Sequence, residues 1–243
     1  MTMGKVIFTV FAGRRRYMEI LLVYINKLQV DEVHIWDYSK CVEDEIFLDS
    51  CGKSVFKVND KNNFREYYEY YNKERYPEDD TVLIKCDDDI VFIDVCEFNN
   101  FIEYRRRNKD AFIVSPMVIN NPLCNYIFYE NNNFFSGEYA YIAHEHFINN
   151  LKNVPSEIKT IPNDIKFNIN FISILSTDFD VFQSKYNTND EFFLGLVHPM
   201  MSKRPIVIYG RFVVSHMAFG AQRLDGYDES EHLQKYASLA REM

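Results

Sequence analysis

The chain has 243 residues, 47% of them hydrophobic and 16% aromatic, with only 8 Gly and 7 Pro; this describes an ordered globular protein with a sizeable core and excludes fibrous and linker-rich classes. The formal net charge of -9 argues against broad binding to nucleic acid or anionic membrane, leaving Arg14-Arg15-Arg16 and Arg105-Arg106-Arg107 as local clusters able to hold phosphate. No run reaches the roughly 18 apolar residues of a membrane span. The N-terminal apolar stretch is followed by positive charge rather than preceded by it, unlike a signal peptide. Cys41, Cys51, Cys86, Cys96 and Cys124 form no CxxC pair, so free thiols and a soluble, cytoplasmic protein are expected.

Lys5 to Val10 is a continuous β-branched and aromatic run, the pattern of a strand buried on both faces. Phe11-Ala12-Gly13-Arg14 reads as a turn. Tyr17, Ile20, Leu21, Tyr24, Ile25 and Leu28 then recur at helical spacing, and Val33 to Trp36 is a second strand. Strand, helix and strand in this order build a parallel sheet with a right-handed crossover. A helix is expected over 41–50, a strand over 54–58, a tyrosine-dense helix over 64–74 and a fourth strand over 81–85. Ile90 to Ile93 is a further apolar run. A helix over 97–107 and a strand over 111–115 follow, and Asn120-Asn121-Pro122 marks a loop. Beyond it the pattern weakens. A helix is expected near 140–151, strand and loop over 158–171, and short apolar pieces over 179–186 and 191–197. Late strands are expected over 205–209 and 212–215, and a terminal helix over 232–241. The expectation is one domain over 1–243, with a nucleotide-binding half over 1–120 and an acceptor-side half over 121–243.

The residues richest in chemistry are Asp87-Asp88-Asp89, between the apolar runs ending at Lys85 and starting at Ile90. Three adjacent carboxylates repel one another unless a cation offsets them. On an extended segment Asp87 and Asp89 project to the same side, and hard oxygen ligands suit Mn²⁺ or Mg²⁺. A solvated acidic turn is the competing reading. In an open α/β sheet, ligands bind beyond the carboxyl ends of the strands. Thr9, Phe11, Ala12, Gly13 and Arg14 after the first strand would meet a nucleotide there, with Gly13 permitting close approach and the arginines supplying charge. Asp37 ends the second strand where a carboxylate can face a ribose or base. Arg65 is a further candidate for phosphate. His216, at a late strand end, is a candidate third metal ligand. Asp190 and Glu191 precede an aromatic stretch. They are candidates for a general base, and Asn189 or Asp190 equally for a helix cap. His144-Glu145-His146 lacks the spacing of a zinc site. Phe128, Tyr129, Phe134 and Phe135 could stack on sugar rings or pack in a core.

The run Val82 to Phe92 around the triple Asp, Ser115-Pro116 with Asn120-Asn121, and Ser215-His216-Met217-Ala218-Phe219-Gly220 together resemble glycosyltransferases of the GT-A fold. The likeness is greatest to the small enzymes of large DNA viruses of algae, and it runs from the first strand to about Gln222. It implies an α/β, Rossmann-like and mostly parallel central sheet flanked by helices, with an acceptor-side subdomain. It also implies a metal-dependent transferase moving a sugar from a UDP-sugar donor, of the UDP-glucose or UDP-rhamnose type, to a glycan or glycoprotein such as a viral capsid glycan in the host cytoplasm. Under it, Asp89, Asp87 and His216 would hold Mn²⁺ or Mg²⁺, and Asp87 and Asp88 would contact the donor. The alternatives are a metal-dependent nucleotide-sugar phosphohydrolase or nucleotidyltransferase, and a non-catalytic carbohydrate-binding module.

Overall fold

The β-branched run at the start forms β1 (Val6–Ala12), whose residues are buried except for half-exposed Phe11. In the computed structural model, which describes residues 4–129, 134–151, 154, 156–183 and 189–242, the first half continues as α1 (Arg15–Ile25), β2 (Glu32–Asp37), α2 (Val42–Ser50), β3 (Ser54–Lys57), α3 (Arg65–Tyr70), β4 (Val82–Asp87), β5 (Ile90–Ile93), α4 (Phe98–Arg107) and β6 (Ile113–Ile119). The second half contributes α5 (Pro122–Tyr129), α6 (Gly137–Asn149), β7 (Ile158–Ile161), β8 (Phe171–Leu175), α7 (Asp190–Phe192), a π-helical turn over Phe193–Val197, α8 (His198–Ser202), β9 (Ile206–His216), α9 (Gly220–Leu224) and α10 (Ser230–Glu242). α1 buries Tyr17, Met18, Ile20, Leu21, Tyr24 and Ile25 on one face, the stripe its spacing predicts.

The strands form a nine-stranded sheet in the order β3-β2-β1-β4-β8-β6-β9-β5, with β7 also on β9. β1 pairs in parallel with β2 and β4, β2 with β3, and β6 with β9. β8 runs antiparallel between β4 and β6, while β5 and β7 run antiparallel to β9. The sheet is therefore mixed, where a mostly parallel one was expected. Strands buried on both faces read as the same apolar runs in either direction, so the reversal leaves no mark on local sequence. Strands from both halves of the chain share this sheet.

The two expected late strands are one long strand, β9. Its register against β6 shifts between Pro116 and Met117, where Tyr209 gives way to Val213 as partner. The extra residues, Gly210-Arg211-Phe212, bulge there, as Gly permits. The expected turn at Phe11-Ala12 is the end of β1. Arg105-Arg106-Arg107 proves not to be an anion site. Arg105 is fully buried and donates to the Asn108 and Ala111 carbonyls, Arg106 binds the Asp80 and Gly4 carbonyls, and Arg107 pairs with Glu103 at 2.8 Å. These cations close the carboxyl end of α4, where the helix dipole favours them.

The π-helical turn needs a glycine. A Cβ on Gly195 would lie 2.1 Å from the Phe167 carbonyl oxygen, and the Phe167 amide already donates to the Gly195 carbonyl at 2.9 Å. Gly195→Ala should therefore force the backbones apart and cost about 1–2 kcal/mol, in the range of core overpacking. Thermal melts of the two proteins measure this; an unchanged midpoint would show that the turn yields freely.

Candidate active site

The parallel strands end at one edge, so Ala12, Asp37, Asp87, Ile119 and His216 close β1, β2, β4, β6 and β9 on the same side. The chain leaves β4 at Asp87, turns through Asp88 and Asp89, and pairs next with the end of β9, where Ile90 faces His216. The Met217 amide donates to the Asp89 carbonyl at 2.8 Å and pins that turn. Asp88 and Asp89 are consequently buried, each 4% exposed.

Buried carboxylates need partners, and here the partners are cations of the protein itself. Asp88 accepts from the Gly13 amide at 2.9 Å and from the Arg14 guanidinium, with Nε 3.2 Å from both oxygens. Asp89 lies 2.9 Å from Arg14, 3.3 Å from Arg223 and 3.4 Å from His216 Nε2. Burial raises the Asp88 carboxyl to about 6, aided by the charge of Asp89 and against the pull of Arg14. Burial acts on Asp89 in the same direction, but His216, Arg14 and Arg223 outweigh it and hold that carboxyl well below its ordinary value. Two adjacent acids are thus driven apart by their surroundings.

Asp87 faces elsewhere. It pairs with Lys85 at 3.0 Å and accepts from Asn170 Nδ2 at 3.1 Å. Lys85 is buried on β4, with its ammonium 4.4 Å from the Phe11 ring centroid and 3.3 Å from the Ile169 carbonyl. Burial works against its charge, and Asp87 and Asp190 more than offset that, so it stays protonated. Phe11 stacks on Phe64 at 4.9 Å and meets Tyr67 and Tyr38 edge-on. A row of amides completes the floor. Asn170 is bonded by Asn121 Nδ2 at 3.2 Å, and Asn168 reaches Glu191 at 2.7 Å. Asn120 sits at a left-handed φ of 60° and bonds the Met217 carbonyl and Gln222.

The other expected residues are spread more widely. Thr9 is fully buried and ties β1 to β4 through the Ile84 carbonyl at 2.7 Å. Ala12 is buried and its carbonyl accepts from the Tyr38 amide at 2.7 Å. Asp37 is closed in by Ser39, by Lys57 at 2.8 Å and by Lys61 at 3.6 Å. Arg65 pairs with Glu69 at 2.5 Å on the outer surface. Asn189, not Asp190, caps α7, accepting from the Glu191 and Phe192 amides. Asp190 accepts from the Tyr68 hydroxyl at 2.9 Å, and Glu191 is held by Lys166 at 2.7 Å. His144 and Glu145 are engaged with other partners, Tyr236 and Met217 for the first and His232 and Lys235 for the second. Phe134 meets Tyr139 and Phe135 meets Phe219 edge-on; the side chains of Phe128 and Tyr129 lie outside the described residues. Arg223, Lys85, Asn168 and Asn170 carried no expectation of a site role, and Asn120 and Asn121 were expected only in a loop and as part of the resemblance. For Lys85 a signal existed, since a lysine within an apolar strand two residues before Asp87 must share its face.

These residues do not form a cage for a divalent ion. Asp89 is occupied by two guanidiniums and an imidazole, Asp87 is bound to Lys85, and no group of three His, Cys, Asp or Glu among the described residues is arranged to hold a metal. No helix among them is long and apolar enough to cross a membrane.

No known family's sequence pattern matches the chain, and no curated protein does. Solved structures do. A CMP:2-keto-3-deoxy-manno-octonic acid synthetase complexed with CTP aligns over 100% of both chains at 12% identity and a TM-score of 0.52. A nucleotidyl transferase from Methanothermobacter thermautotroptrophicus aligns over 98% of this chain and 99% of its own, at 8% identity and a TM-score of 0.51. A mycobacterial protein aligns over 98% of this chain and 72% of its own, at 11% identity and a TM-score of 0.53. The chain shares its fold with these structures. This corrects the resemblance to viral glycosyltransferases, and with it the sugar-transfer activity, the UDP-sugar donor and the reading of the triple Asp as a glycosyltransferase motif. The physical reason lies in the turn. Acidic residues after a central strand fall at the ligand edge of any sheet of this plan, so they do not tell one nucleotide chemistry from another.

Proposed function

We propose that this protein is a nucleotidyltransferase that takes a nucleoside triphosphate, CTP being the first to test, and joins its nucleotidyl group to an oxygen of a small acceptor. The observation that carries the reading is the convergence of Arg14 and Arg223 on the Asp88-Asp89 turn. It lies at the strand edge where open α/β sheets bind ligands. The fold likeness to the nucleotidyl transferase, over nearly the whole of both chains, supports it. Guanidiniums prefer phosphate as they do carboxylate, through paired N–H donors. A triphosphate can therefore take over donors now given to Asp88 and Asp89.

The acceptor oxygen forms a bond to the α-phosphorus. The bond from that phosphorus to the α,β-bridging oxygen breaks, and pyrophosphate leaves with its electron pair. Arg14 and Arg223 oppose the charge that gathers on the leaving group. The acceptor's proton passes to Asp190, whose carboxylate accepts from the Tyr68 hydroxyl and the Glu191 amide, whereas Glu191 is paired with Lys166.

Pyrophosphate release should be measured with CTP, UTP, ATP and GTP against sugar acids, sugar phosphates and polyols, in Mg²⁺, in Mn²⁺ and in chelator. Acceptor-dependent release with one nucleotide is expected. Release of phosphate or pyrophosphate to water alone would identify a hydrolase instead, and absence of binding by all four triphosphates at millimolar concentration would overturn the reading.

A further inference from the structure

Tyr17 is fully buried on the first turns of α1, yet its ring gathers three cations. The guanidinium carbons of Arg14, Arg16 and Arg223 lie 4.6, 4.7 and 5.7 Å from its centroid. Its hydroxyl accepts from Arg16 at 2.7 Å and from Arg223 at 2.9 Å, and donates to Glu229 at 2.5 Å. Glu229, 6% exposed before α10, closes the circuit by pairing with Arg16 at 2.5 Å and Arg223 at 3.2 Å. Three like charges around one ring repel, and a core residue that merely filled space would not collect them. Arg14 and Arg16 also face outward, while the Arg223 side chain is 26% exposed. Arg16 has a side chain 55% exposed, and with Arg14, Arg15, Glu19 and Asp44 it lines an open basin of about 540 Å³ in which the three guanidiniums outnumber the two carboxylates.

We infer that Tyr17 and Glu229 are positioning residues that fix Arg16 and Arg223, beside Arg14, as the receptor for the distal phosphates of a nucleoside triphosphate. The inference rests on the nucleotidyltransferase reading and adds to it two buried groups that touch no substrate. Through Glu229 it makes the segment leading into α10 part of the site. A guanidinium bonded on one edge keeps its other edge aimed, so less freedom is lost when phosphate binds.

The test is calorimetric binding of CTP, CMP and inorganic pyrophosphate to the wild type, Tyr17→Phe and Glu229→Gln, with melts to establish folding. Tyr17→Phe alters no charge. It should lower the CTP-to-CMP affinity ratio about tenfold and weaken pyrophosphate equally, leaving CMP within twofold. Glu229→Gln raises the local positive potential, which alone would favour CTP, so a similar fall in the ratio reports lost orientation. A purely structural role would lower the melting temperature and leave the ratio alone. Either folded variant keeping the wild-type ratio, or Glu229→Gln raising it, overturns the inference while the nucleotidyltransferase reading stands. A wild type that binds none of the three probes removes both.

Discussion

Replacing Arg14 by alanine should abolish nucleotide binding and lower the unfolding free energy by about 2–4 kcal/mol. The guanidinium serves Asp88 through Nε and its terminal nitrogen and Asp89 at 2.9 Å. Its loss leaves Asp88 buried with the Gly13 amide as its remaining hydrogen-bond donor among the described residues. Stranding a buried charge costs about 3–5 kcal/mol. The lower range applies because Arg14 is itself 37% exposed and Asp89 retains Arg223 and His216. Arg14→Lys should recover part of the stability, since an ammonium supplies charge without the fork. The diagnostic variant is Arg14→Ala with Asp88→Asn. Removing the stranded carboxylate should restore about half of the lost stability without restoring binding, and urea melts with CTP titration separate the two. If Arg14→Ala melts with the wild type, the cluster is an exposed ion pair of small worth.

The sequence disclosed the first half of the fold well because its elements are local. Each of β1, α1, β2, β4 and α4 shows its own period, and the strand–helix–strand order dictates parallel pairing. It disclosed β8 poorly. Phe171–Leu175 enters the sheet antiparallel between β4 and β6, elements that close tens of residues earlier, and no local pattern records that pairing. The site follows the same division. That the Asp turn lies at the ligand edge was readable from strand order. What neutralises it was not, because Arg14 stands 74 positions before Asp88 and Arg223 stands 134 positions after Asp89. A carboxylate cluster demands cations, but sequence does not say whether a metal or the chain's own arginines provide them. The expectation took the metal; in the structure Arg14 and Arg223 stand against the turn.

Acid should destabilise this protein already between pH 6.5 and 5, above the ordinary range of carboxylates, and His144 is the principal cause. The imidazole is fully buried. Its Nε2–H donates to the Met217 carbonyl at 2.7 Å, and Nδ1 accepts from the Tyr236 hydroxyl at 2.8 Å. Burial lowers its pKa to about 3, with His232 and His216 adding to the shift against Met217 and Glu145. The unfolded chain takes up this proton near 6.5. Between pH 6.5 and 3 the unfolded state therefore binds more protons, so stability falls as pH falls. At pH 5 the difference spans about 1.5 pH units, or about 2 kcal/mol. His34, His198 and His232 are also lowered by burial and act in the same sense. Asp88 acts oppositely. Its raised value of about 6 means that the folded state gains a proton first, which offsets part of the loss between pH 6 and 4. Comparing wild type with His144→Gln cancels Asp88, because both proteins carry it. Glutamine preserves a donor and an acceptor but does not titrate. Urea melts at pH 7 and pH 5 should show the stability loss shrinking by about 2 kcal/mol in His144→Gln. Parallel pH curves for the two proteins would mean that His144 takes up its proton alike in the folded and unfolded chain, and that burial does not hold the imidazole neutral.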